Sequence, residues 1–317
     1  MKKVIKSVLG TLICITMLCT SCSSDEKLPI QPETIVPETP ETPETPETTE
    51  TQIINIQMGS SNEIIGDMDI QGKFLYFATV ENIYKLDLTV SPSIPELITK
   101  VEDPPIAVTA INNTLFYIPF WMYELRSINI SKPNDKHVTN NIQGVIESSI
   151  TKNKDELFYV SGRSTMDHKA SFYRRKIKKD SPSTLITTIE YVIPKNLVVE
   201  GDYLYFTNER EILKINLTEP SPKPTLLYTM SEVSGFSGID HIDGLAIHKE
   251  HLYFSQGWNK NLYRLNLKNS SLAPEIILSD ENCCDDGYAN GYEELIVREN
   301  KLYMRQTNRY SLLVLDL

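Results

Sequence analysis

The sequence lacks an excess of basic residues: 31 Lys and Arg stand against 42 Asp and Glu, for a net charge of −11. Nucleic acids and anionic lipid surfaces both call for a basic patch, so neither is expected as a partner. There is no Gly-rich phosphate loop, nucleophile elbow or zinc-ligand spacing. His137, His168, His248 and His251 are scattered and show no metal-ligand pattern. Cysteine is scarce, and beyond residue 22 only the adjacent pair Cys283-Cys284 remains. The apolar stretch Val8 to Leu18 is too short to span a bilayer comfortably.

That stretch follows Lys2, Lys3 and Lys6, the arrangement of an export signal. It ends in Leu18-Cys19-Thr20-Ser21-Cys22, which resembles a bacterial lipobox. The resemblance implies a signal peptide over 1–21 and lipidation (palmitate) of Cys22, with ordinary cleavage near Ser21 and no lipid as the alternative. In lipoboxes a Leu usually stands three residues before the modified cysteine; here that place holds Cys19. Ser23-Ser24-Asp25-Glu26 is similar to the sorting signal of Bacteroidetes-type surface lipoproteins. It implies the outer membrane as location, facing the cell surface or the periplasm. Within 22–50, Pro-Glu-Thr units begin at Pro37, Pro40, Pro43 and Pro46. Repeated Pro favours an extended chain and like charges resist collapse, so this segment is expected to be a semi-stiff stalk.

Residues 51–317 carry a repeat. One apolar block recurs six times: Leu75-Tyr76-Phe77, Leu115-Phe116-Tyr117, Leu157-Phe158-Tyr159, Leu204-Tyr205-Phe206, Leu252-Tyr253-Phe254 and Leu302-Tyr303-Met304. Each is followed by a segment of strand periodicity, such as Ile83 to Leu88, in which Lys85 and Asp87 alternate with apolar neighbours. A short strand and a polar turn such as Gln71-Gly72-Lys73 precede the block, and a fourth strand follows several copies. Four antiparallel strands per 40 to 50 residues is the arithmetic of a propeller blade. The expected fold is therefore all-β, a six-bladed β-propeller of four-stranded antiparallel blades. The chain ends in the third strand of the sixth copy. The strand at 52–56 is expected to complete that blade and close the ring, since an open blade leaves an unpaired edge. The blocks resemble the YWTD and NHL type of six-bladed propeller, including bacterial domains similar to lipoprotein-receptor propellers.

In such a ring, one face carries the inter-blade loops and the turns between second and third strands. That face should present Phe120, Trp121, Tyr123, Trp258, Tyr288, Tyr292 and Tyr310, with Arg163 and Arg305. Exposed aromatics with Arg suit a protein or glycan partner, and the expectation is a monomeric recognition module without a cofactor. Cys283-Cys284 is placed to form a strained vicinal disulfide outside the cytoplasm, with two thiols as the alternative.

An alternative reading is enzymatic. Eight residues before each leading leucine stand Asp67, Ala107, Ser149, Asn196, Gly244 and Glu294, expected to open the innermost strands around the axis. Asp67, Asn196 and Glu294 resemble the metal site of gluconolactonase-like propellers. That resemblance implies one divalent ion, calcium by its oxygen donors, and a lactonase or esterase with His241 and Asp243 as base and orienter. Asp285-Asp286-Gly287 with Asn290 offers oxygen ligands without the spacing of an EF-hand loop.

Overall fold

The computed structural model describes residues 51–56, 66–120, 122, 124–133, 135–143, 145–162, 169–178, 181–231, 241–256, 261–270, 273–279, 292–306 and 311–317. The expected signal and stalk, Cys22 and Cys283-Cys284 lie outside them.

Six four-stranded antiparallel sheets account for 24 strands. Strand β1 (Thr51–Asn55) precedes the first blade, which holds β2 (Met68–Gln71), β3 (Phe74–Ala78), β4 (Asn82–Asp87) and β5 (Glu96–Lys100). The second holds β6 (Pro105–Ile111), β7 (Thr114–Pro119), β8 (Glu124–Asn129) and β9 (Val138–Gln143). In the third are β10 (Val145–Asn153), β11 (Glu156–Ser161), β12 (Lys169–Lys176) and β13 (Thr184–Glu190). The fourth comprises β14 (Pro194–Glu200), β15 (Tyr203–Asn208), β16 (Glu211–Asn216) and β17 (Pro224–Thr229). The fifth comprises β18 (Ile242–His248), β19 (His251–Gln256), β20 (Asn261–Asn266) and β21 (Glu275–Ser279). The sixth has β22 (Tyr292–Arg298), β23 (Lys301–Gln306) and β24 (Ser311–Asp316), completed by β1. The register of β1 on β24 runs from Thr51 opposite Leu315 to Asn55 opposite Ser311. The expected ring closure is therefore present.

Burial explains why the Leu-Tyr-Phe blocks read as continuous apolar runs. In β3, Leu75, Tyr76, Phe77 and Ala78 are all buried, because a second strand packs against neighbouring blades through both faces. Outer strands are half solvated and alternate instead; β17 is wholly exposed or half-buried. The buried apolar residues fall into six clusters, each joining two consecutive blades. One of them joins the last blade to the first, through Tyr303, Leu312 and Val314 against Met68, Leu75 and Phe77. An open arc of six units would have five such contacts; the sixth closes the circle.

Candidate functional site

Each innermost strand is interrupted near its start by an irregularity in its pairing with the second strand. In the first blade Gly66 N–H donates to Ala78 O at 2.8 Å, and Ala78 N–H donates to Asp67 O at 2.9 Å, so two residues oppose one. Ile106, Asp243 and Glu294 are the extra residues of β6, β18 and β22. β14 shifts between Lys195 and Val198, and β10 between Val145 and Ile150. A bulge breaks the two-residue alternation and re-aims a side chain. Two of these residues, Asn196 (φ 50°) and Glu294 (φ 48°), stand in the left-handed region. Asn tolerates that conformation well; for Glu it is uncommon.

The re-aimed side chains gather at one end of the axial tunnel. The mouth there is a concavity of about 320 Å³ lined by Asp67, Lys195, Asn196, Asp243, Glu294 and Arg305, with Gly66, Pro105, Ile106 and Glu293. Asp67, Asn196 and Glu294 also line the tunnel behind it, a space of about 260 Å³ walled by the innermost strands of all six blades. These three residues are the floor of the mouth and the entrance to the tunnel.

Polar contacts fix the floor. Asn196 Nδ2 donates to Ile242 O at 2.9 Å and to Thr207 Oγ1 at 3.1 Å, tying the fourth blade to the fifth. Asp67 Oδ2 accepts from Val108 N–H of the second blade, and its carboxyl hydrogen-bonds Glu294 of the sixth. Burial is the main cause that pushes the Asp67 carboxyl well above the usual carboxylate range. The nearby charge of Glu294 pushes the same way, against the N–H groups of Val108 and Met68. Burial also raises Glu294, countered by the bond from Asp67 and by the charge of Arg305. Two buried carboxyls this close cannot both ionise freely, so the pair favours holding a proton. Arg305 is paired with Glu293, while its buried Nε has no hydrogen-bond partner among the described residues. His241 Nε2 stands 2.6 Å from Asp243 Oδ1.

Deeper in the tunnel, Lys152 reaches from the third blade to Asp69 of the first. It also donates to Ile70 O at 2.9 Å and Ala110 O at 2.7 Å. Asp69 additionally accepts from Thr109 Oγ1 at 2.9 Å and Ala110 N–H at 2.7 Å. This clasp fastens three successive blades to one another from inside.

The structure thus brings Asp67, Asn196, Glu294, Asp243 and Arg305 to one concavity, with His241 beside Asp243. Ala107 lines the tunnel. Two expected ring positions are displaced. In the fifth blade Asp243, not Gly244, faces the mouth: a Cβ on Gly244 would lie 2.6 Å from Leu295 Cγ, so that side of the strand is filled by the next blade. In the second blade Ile106 lines the mouth one residue before Ala107. The Ser149 side chain lies outside the described residues.

Among the expected ligand-face aromatics, Tyr292 is corrected: it is 2% exposed and packs in the cluster between the fifth and sixth blades. It opens an innermost strand, and that position turns into the inter-blade core. Phe120 is half-buried at the end of β7, its N–H donating to Pro104 O at 2.7 Å. Trp121, Tyr123, Arg163, Trp258, Tyr288, Tyr310 and the Asp285-Asp286-Gly287 run with Asn290 lie outside the described residues. Lys195 and Glu293 also line the mouth; each precedes a ring position by one residue, and that adjacency is the one sign of them in the sequence. Among the described residues no group of three or more His, Cys, Asp or Glu is placed to hold a metal ion.

No protein-family model and no curated protein matches this chain. Solved structures do. Virginiamycin B lyase from Staphylococcus aureus, in a catalytically inactive form with quinupristin, is similar over 84% of this chain and 100% of its own, with a TM-score of 0.55 at 10% identity. A nidogen/laminin complex matches over 69% of this chain and 80% of that one, with a TM-score of 0.54 at 10% identity. The β-propeller domain of Myceliophteria thermophila Cps50 (Swd1) matches over 80% and 83%, with a TM-score of 0.52 at 12% identity. At these identities the likeness is one of fold.

Proposed function

We propose that the protein is a recognition module that binds a protein or glycan through the face carrying the tunnel mouth. Lipid on Cys22 and the stalk at 22–50 hold it at the bacterial outer membrane. One observation carries the binding role: a polar concavity of about 320 Å³ formed by strand ends, with its side chains held by contacts between blades. Ligand sites are concave and largely pre-formed, with a few polar groups that fix orientation. Partner-binding residues concentrate where loops sit on a rigid scaffold, and this mouth lies among the inter-blade connections. The test is to probe glycan and peptide arrays with the purified protein and with its Asn196→Ala and Arg305→Ala variants. Binding weakened roughly tenfold or more in either variant supports the role. A ligand bound equally by all three proteins places recognition elsewhere.

The convergence of Asp67, Asn196 and Glu294 beside His241 and Asp243 favours a second reading, a metal-dependent lactonase or esterase. A divalent ion there would supply Lewis-acid polarisation of a carbonyl. The donor set is sparse, two carboxylates and an amide where calcium takes roughly six to eight oxygens. Metal analysis of the purified protein decides: one tightly held ion, lost in Asp67→Ala and in Glu294→Ala, would raise this reading above the binder. A metal-free protein would remove it.

A further inference from the structure

The mouth face bears a second set of features that the concavity does not use. Tyr191, in the connection from β13 to β14, is 78% exposed and stands at φ 60°. A bulky residue in the left-handed region costs about 1 kcal/mol or more, and such strain gathers at functional positions. The connection is fixed two residues later, where Ile193 N–H donates to Asn208 Oδ1 at 3.0 Å. Ile193 is itself exposed, as are Val80 in the β3–β4 turn and Met122 in the β7–β8 turn. All four occupy connections at the mouth end of their strands.

Charge is divided between the two faces. Among the described residues, the connections at the mouth end carry Asp67, Glu81, Glu102, Asp103 and Glu209 against Arg210. The connections at the opposite end carry eight lysines against six acidic residues. Among the described connections, the acidic set is thus the one that presents Tyr191, Ile193, Val80 and Met122.

We infer that the mouth face docks a net-basic polypeptide partner that presents apolar side chains. The inference rests on the mouth face being the binding face and names what it binds. Val, Ile and Met side chains offer no hydrogen bonds to sugar hydroxyls, whereas protein interfaces set apolar anchors within a polar rim. Tyr191 is the anchor, rigid and amphipathic. The acidic surround selects a basic partner, speeds its approach and makes binding salt-sensitive.

The test pans a random-peptide display library against the whole protein. Enriched peptides should be net positive and carry aromatic or aliphatic residues. Their binding should fall roughly tenfold in Tyr191→Gly, which removes the ring and suits the left-handed backbone. It should fall comparably in the Glu102→Lys/Asp103→Lys double variant and weaken as salt rises, while Lys132→Glu/Lys136→Glu on the opposite face leaves it unchanged. Neutral or acidic winners, winners indifferent to Tyr191→Gly, or no enrichment would each overturn the inference. A glycan bound by the protein, lost in Asn196→Ala and retained in Tyr191→Gly, would overturn it while keeping the mouth as the binding face. A ligand indifferent to both would remove that face as well.

Discussion

Asp67 is buried in a position where a lone carboxylate would be costly, and burial together with the nearby Glu294 charge favours its protonated form. The sign of the consequence is definite. A carboxyl whose folded pKa is raised contributes stability below its unfolded value of 3.8, and loses it as pH climbs through the folded value. In Asp67→Asn the amide N–H₂ replaces the shared proton and its oxygen still accepts from Val108 N–H. We expect the variant to melt a few degrees higher than the parent at neutral and alkaline pH, and the difference to shrink toward pH 4. Melting temperatures across that range check it; parallel curves for the two proteins would refute the shared proton. The position of Asp67 at the axis was legible from its offset before Leu75. That it hydrogen-bonds Glu294 was not, because the two lie more than 200 residues apart and meet only where the last blade abuts the first.

Within the elements, the second strands were the clearest signal, since burial on both faces leaves no polar residue to interrupt Leu75 to Ala78. The bulges were invisible. Alternation predicts one residue opposite one, and the pattern carries no mark at Asp243 or Glu294 to say that an extra residue is present. That single residue explains why the ring position in the fifth blade is Asp243 and not Gly244. It also explains why Lys195 and Glu293, each one residue before a predicted position, share the mouth. Tyr292 departs from the expected ligand face for a related reason. An aromatic beside a long connection suits a ligand face, yet it is already the first residue of β22, where side chains point into the neighbouring blade.

For the molecule as a whole, closure by β1 converts six units into a ring, so every blade is supported from both sides. The anchor is tested by metabolic labelling with palmitate. The parent should incorporate label and sediment with membranes, and Cys22→Ala should do neither. Label retained in Cys22→Ala, or absent from the parent, would refute lipidation there.

The number of blades, the four-strand unit and the strand that closes the ring are all legible in the chain. These follow from local periodicity and from the need to pair every edge, both of which are written along the chain. The offset before the leading leucines also points to Asp67, Ala107, Asn196 and Glu294 at the axis, and falls one residue from Asp243 in the fifth blade. How those residues meet comes from long-range packing: the contact between Asp67 and Glu294, the Lys152 clasp across three blades, and the gathering of Asp243, Glu293 and Arg305 into one mouth. Those contacts join blades distant in sequence, and the bulges and axial geometry that set them leave no periodic trace in the chain.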